Sequence, residues 1–175
     1  MPWNGMRSYG PTTSRFDHHT APRRAHPSRS IAYLTYGPTR FVAALAEFFQ
    51  DGNGGVGPID RSNRQPAMTQ FELAADVQLL DLDSGWVTRA GGNQAIISGR
   101  RSRAREWARA IYSEHPSMQG VAFGSSVWGP GHCIALWDRG LPAIPGAPLT
   151  SRTLDDPVLG VALANAALAL GTYLL

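Results

Sequence analysis

Apolar positions along the chain change period several times, and each change predicts an element. Ser30-Ile-Ala-Tyr-Leu-Thr-Tyr36 is short, β-branched and aromatic and predicts a strand; Gly37-Pro38 breaks it, and Pro38 suits the first turn of a helix from Arg40 to Gln50. On that helix Phe41, Ala44, Leu45 and Phe48 recur at three- and four-residue intervals and predict a buried stripe. Arg40, Ala43, Glu47 and Gln50 share another face. Glu47, the only acid of the segment, reads either as a solvated helix position or as a carboxylate facing a cleft.

Further on, Phe71, Leu73, Ala75, Val77 and Leu79 alternate with Glu72, Ala74, Asp76 and Gln78, which predicts a half-buried strand. Leu80 to Gly85 closes it with turn residues, and Trp86 to Thr88 reads as a short extended piece. Gly91-Gly92-Asn93 opens a short helix over Gln94–Ser98 that Gly99 ends. A second helix is predicted from an N-cap at Ser102, with Ala104, Trp107, Ala108, Ile111 and Tyr112 inward. Val121–Phe123 and His132–Trp137 are continuous apolar runs that predict two central strands. Asp155-Asp156-Pro157 starts a last helix, followed by uncharged sequence to Leu175. Its many Ala, with Gly160, Asn165 and Gly171, favour a packed C-terminal helix over a membrane span.

Composition narrows the chemistry. A chain of 175 residues with 43% apolar content suits one domain with a sizeable core. All 16 positive residues are Arg, a bias that GC-rich codons explain without a nucleic-acid partner, and a net charge of +3 suits an anionic small molecule such as a dinucleotide. Cys133 stands alone in an apolar run, so it reads as a core residue in a reducing cytoplasm, and the N-terminus shows no signal core or anchor. Residues 1–29 read as an irregular arm. His18, His19 and His26 within it lack the spacing of a zinc site, so no metal is expected. The glycine-rich stretch Asp51–Gly57 reads as a flexible connection or a mobile lid, and it lacks the Lys-Ser/Thr ending of a phosphate loop. Arg100, Arg101, Arg103, Arg105 and Arg109 read as a solvated helix face or as a grip on phosphate or RNA. No base-stacking aromatics are interleaved with them. Ser125 ends a predicted strand without the Gly-x-Ser-x-Gly elbow, so it reads as a hydrogen-bonding residue rather than a nucleophile. His132 reads as a strand-start residue.

Four pieces in order, Arg15-Phe16-Asp17, Ile31-Ala-Tyr-Leu34, Ala46-Glu47-Phe-Phe49 and Gly120-Val-Ala-Phe-Gly-Ser125-Ser126, resemble the RES domain family. That family is named for an Arg, a Glu and a Ser and is known for NAD-degrading toxins paired with repressor-like antitoxins. The resemblance divides the chain into an arm at 1–14 and a RES-like NAD-binding domain at 15–175. It implies a single α+β domain with a mixed, split β-sheet flanked by helices, similar to the ADP-ribosyltransferase toxins. It also implies cleavage of the nicotinamide–ribose N-glycosidic bond of NAD+, which is the substrate, with no separate cofactor. Glu47 matches the family's Glu and would stabilise the oxocarbenium-like state, and Ser125 matches its Ser and would position ligand or Glu47. Arg15 would clamp phosphate. Tyr33, or Tyr36 at the family's usual eleven-residue interval before Glu47, would stack on nicotinamide. The implied partners are NAD+ and a cognate antitoxin, with no membrane and no direct nucleic-acid contact. The alternatives are an ADP-ribosyltransferase acting on a protein and an RNA-binding or interaction module using the Arg100–Arg109 helix. Members of the family usually open with an apolar strand and a further arginine. Residues 1–11 do not alternate like a strand and Arg7 is a poor stand-in, so a start further upstream, or a weakened enzyme, is expected.

Overall fold

The computed structural model describes residues 2–52, 54–63 and 65–175. Its elements follow in the order β1 (Tyr9–Gly10), β2 (Arg24–Ala25), β3 (Ile31–Tyr36), α1 (Arg40–Phe48), β4 (Ala67–Gln70), β5 (Leu79–Asp81), α2 (Trp86–Arg89), α3 (Ala95–Ser98), α4 (Arg101–Glu114), β6 (Gly120–Gly124), β7 (His132–Trp137), β8 (Thr150–Thr153) and α5 (Gly160–Leu170). Two 3₁₀ turns lie at Asp138–Ala143 and Pro157–Leu159. The main sheet has the order β3-β7-β6-β5. β7 is antiparallel to both β3 and β6, whereas β6 and β5 run parallel, joined by the crossover that contains α4. The fold is therefore α+β with a mixed sheet. Two-stranded pairs, β1 with β2 and β4 with β8, flank it.

Continuous apolar runs become the centre of the sheet because both faces there are covered: every residue of β7 after His132 is buried, as are Gly120 to Phe123 of β6. One core joins Ile31, Val121, Phe123, Ala135 and Trp137 of the sheet to Ala104, Ala108 and Ile111 of α4. A second joins Leu45 of α1 to Leu163, Ala166 and Ala167 of α5, with Ile59 and Leu154. Asp156 caps the turn before α5 by accepting from the Val158 amide at 2.9 Å, and Gly171 ends that helix in the left-handed region at φ 66°. No helix among the described residues is long and apolar enough to cross a membrane.

Several sequence expectations are corrected. Residues 71–78 form no strand, although Phe71, Leu73 and Val77 are more buried than their neighbours. Among the described residues no strand lies alongside this segment: the Ala74 amide reaches the Ala143 carbonyl at 2.8 Å, and at the far end Gln78 donates to Gln119 Oε1 and accepts from the Gln119 amide, both at 2.8 Å. Trp86 to Thr88 belongs to a helical turn, α2, rather than an extended piece. α4 starts at Arg101, with Arg100 before it and no side-chain cap, so Ser102 is not the N-cap. At the start of the chain Tyr9–Gly10 does pair as a strand, and Arg7 bridges Ile31 at the edge of β3. Within the glycine-rich stretch Asn53 lies outside the described residues, and Gln50 bridges Val56 across the turn.

The arm is held by a buried acid. Asp17 is fully enclosed and accepts from the Thr12 amide at 2.8 Å and hydroxyl at 2.6 Å, from the His19 amide at 3.0 Å and ring at 2.6 Å, and from Arg7 at 3.1 Å. Burial pushes this carboxyl up, but those hydrogen bonds outweigh it and hold it well below the usual carboxylate range. His18, equally enclosed, meets Asp138 at 3.2 Å and so ties the arm to the end of β7.

Candidate active site

Glu47 projects from the last turn of α1 into a cleft of about 780 Å³, a volume within the range of small-molecule sites. Its Oε1 accepts the Ser125 hydroxyl at 2.6 Å, and its Oε2 accepts the Gln50 side-chain amide at 3.1 Å. The direction of the Ser125 bond follows from what else the hydroxyl touches. The amides of Val127 and Trp128 donate to Ser125 Oγ at 3.2 and 3.0 Å, which leaves its single proton for the carboxylate. Ser125 is thus a fixed donor with its lone pairs engaged, the arrangement of a positioning residue. The loop that carries it, between β6 and β7, closes through Ser125 N to the Gly131 carbonyl at 2.8 Å, and Thr39 at the start of α1 donates to the Pro130 carbonyl at 2.9 Å. Helix and loop are therefore docked at both ends of the Glu47–Ser125 pair.

Arg15 lines the same cleft. Its guanidinium donates to the carbonyls of Gly99 at 3.0 Å and Ile96 at 3.4 Å, which terminate α3 and have no helical partner of their own. Burial lowers its pKa first and the neighbouring Arg101 lowers it further, while Glu47 acts in the opposite sense. Arg15 is aimed this way by Phe16, whose backbone takes φ 60°, a rare conformation for a bulky residue. Full burial of that ring against Phe123, at 4.5 Å between centroids, offsets the strain. Arg15 consequently lines the cleft and Asp17 lies in the interior.

Both tyrosines line the cleft, but they are held differently. Tyr33 donates to the Arg15 carbonyl at 2.8 Å, whereas Tyr36 packs on the His132 ring at 5.5 Å. Alternation along β3 places Tyr33 on the same sheet face as Thr35, opposite Cys133, the residue nearest Glu47 in that strand. Phe48, Tyr33 and Tyr36 are 64%, 42% and 41% exposed, so three aromatic rings of the cleft are left open to a ligand.

Reading α1 by periodicity missed this arrangement. Phe41, Ala44, Leu45 and Phe48 line the cleft, and the residues α1 buries are Ala43, Leu45 and Ala46. Sequence reasoning gave no role to Gln50, and read Arg101 only as one of the arginine cluster and Cys133 only as a core residue. Gln50, one turn beyond Glu47, receives Arg101 on its side-chain oxygen while donating to Glu47, which links α4 to the carboxylate. Cys133 lies 3.9 Å from Glu47 Oε1, and burial, reinforced by that carboxylate, pushes its thiol up to about 12. It is a neutral wall of the site and no nucleophile. Arg7 is not among the residues that line the cleft: it holds Asp17 and the Tyr9 carbonyl and lies beside Tyr33.

Asp17, His18 and His19 converge to within 4.8 Å, the one such group among the described residues. The oxygens of Asp17 are already taken by Arg7, Thr12 and His19, so a cation would have to displace those donors. No family model, curated protein or solved structure matches this chain.

Proposed function

We propose that this chain is an NAD+-cleaving enzyme of the RES type, its mixed sheet a variant of the ADP-ribosyltransferase toxin fold. The observation that carries the reading is the 2.6 Å bond by which the buried Ser125 holds Glu47, a residue 78 positions away, at the wall of a cleft that Arg15 also lines. NAD+ carries a pyrophosphate, two riboses and two flat rings, and the cleft offers a partner for each. Arg15 provides a planar fork for phosphate, and the open faces of Tyr33, Tyr36 and Phe48 suit stacking.

In the reaction the C1′–N bond breaks and its electron pair passes to the pyridinium nitrogen, so nicotinamide leaves neutral and needs no proton. Positive charge develops on the ribose. A carboxylate held by Ser125 and Gln50 stabilises that charge without reorganising at the moment of bond cleavage. A water oxygen, which gives up a proton to solvent, or an anionic phosphate oxygen then forms the new bond to C1′. The same reading places the enzyme in the cytoplasm, where a repressor-like antitoxin would restrain it by covering the cleft.

The test is NAD+ consumption by the purified protein. Glu47→Gln keeps the hydrogen-bonding shape and removes the charge, so its rate should fall at least ~100-fold, the effect of losing one main electrostatic stabiliser. An unchanged rate in that variant would remove Glu47 from the mechanism, and intact NAD+ with the native chain would remove the reading itself.

A further inference from the structure

A second concavity, of about 650 Å³, lies between the arm and α4 and shares no lining residue with the cleft. Arg105 and Arg109, one helical turn apart, present the same face of α4 to it. The arm adds Arg23, Thr13 and Thr20, and Ser102 adds a hydroxyl at the start of the helix. These guanidinium groups are poorly compensated. Arg109 has no hydrogen bond or ion pair among the described residues, Arg105 donates only to the Thr13 carbonyl at 3.3 Å, and Arg23 lies over the Tyr9 ring at 5.5 Å. Glu106 is the one acid of the lining, and it sits 3.6 Å from Arg103. Like charges on a plain solvated face spread outward into water. Here three converge on one concavity, where their mutual repulsion is relieved by an anion.

We propose that this groove binds a small phosphate-rich anion of the oligophosphate class. Planar guanidinium forks together with hydroxyl donors match the oxygens of successive phosphates. A nucleobase finds no platform there. The lining has no Phe, Tyr or Trp, and its one ring, His19, is fully buried with one nitrogen on Asp17 and the other on the Arg29 carbonyl. Single-stranded nucleic acid depends on such stacking, so the phosphate chain itself is the ligand favoured by this chemistry.

The experiment is calorimetric titration of the full chain with inorganic tripolyphosphate at low salt, with NMR observation of the arginine Nε–H signals. Binding should persist in an Arg15→Ala background, which removes the arginine proposed to hold phosphate in the cleft, and should weaken as salt rises. Arg105→Gln/Arg109→Gln should bind at least ~10-fold more weakly, while Arg89→Gln, which removes a charge remote from the groove, should change affinity less than ~2-fold. If the double variant fails to fold by circular dichroism, Arg109→Gln alone should weaken binding ~3-fold. Absence of binding to the native chain, or an equal loss in Arg89→Gln, would overturn the proposal. Tighter capture of a single-stranded oligonucleotide than of tripolyphosphate would also overturn it, by identifying a nucleic-acid groove.

Discussion

At Ser125 one hydroxyl serves two purposes, and a single substitution removes both. As donor it fixes Glu47, and as acceptor it satisfies the Val127 and Trp128 amides. Ser125→Ala removes both, leaving the carboxylate less constrained and two amides short of an acceptor, a loss of about 1–3 kcal/mol. On the proposed reading the variant should melt at a lower temperature and cleave NAD+ more slowly, yet retain measurable activity, because that reading gives the serine no covalent bond. Complete loss of turnover in a variant that melts normally, with an adduct on Ser125 by mass spectrometry of the native chain, would reverse that assignment. That Ser125 engages in hydrogen bonds was legible from the missing elbow motif. The role of Gln50 was not, since a glutamine one turn from a glutamate becomes informative only when Arg101 arrives from another helix.

Among the elements, the contact between α1 and the β6–β7 loop governs the site. Gly131 is a point of close approach between them: a Cβ built there would lie 2.9 Å from the Ala43 Cβ, 3.1 Å from the Trp128 carbonyl oxygen and 3.2 Å from the Ser125 Cβ. Gly131→Ala must push the loop from the helix, as overpacking does at a typical loss of about 1–3 kcal/mol. Its urea midpoint should drop, and the NAD+ cleavage proposed for the chain should fall with the displaced Ser125; a variant matching the native chain in both would show that this contact does not set the site. Periodicity found both α1 and the two central strands, because each carries a continuous or repeating apolar signal. It failed at residues 71–78 for a physical reason: alternation reports which side chains meet the protein, whereas a strand also requires a neighbour for its backbone.

Across the whole molecule, the arm is attached by ionisable groups that the interior holds away from their ordinary behaviour. His18 has its pKa lowered, mainly by burial, with Asp138 opposing and His19 reinforcing; Asp17 is held low by its hydrogen bonds. For a histidine depressed in the folded state, the unfolded chain takes up the proton first, so stability is lost as pH falls below about 6.5. For the depressed Asp17, stability is full above the unfolded value of about 3.9 and is lost as pH falls below it. Both effects have the same sign. Unfolding free energy should decline on acidification from pH 7 to 5 and again below about pH 4, and Asp17→Asn should remove much of the second phase. Stability that rises between pH 7 and 5, or an acid transition unchanged in Asp17→Asn, would contradict this account.

By itself the sequence determined what local patterns can encode: β3, α1, the apolar central strands, the capped start of the C-terminal segment, and the ordered motifs around Arg15, Glu47 and Ser125. Tertiary structure decided which apolar stripe meets the core and which meets an open cleft, since both repel water and share one period. It decided that Asp17, His18 and His19, polar residues in an arm without periodicity, are fully buried. Burial of a charge depends on partners such as Arg7, Thr12 and Asp138, which lie up to 120 residues away. For the same reason only the folded chain separates the arginines of α4, directing Arg101 to the cleft and Arg105 and Arg109 to the groove behind the arm. Helical spacing assigns those side chains their faces, but what each face meets is set by segments remote in sequence.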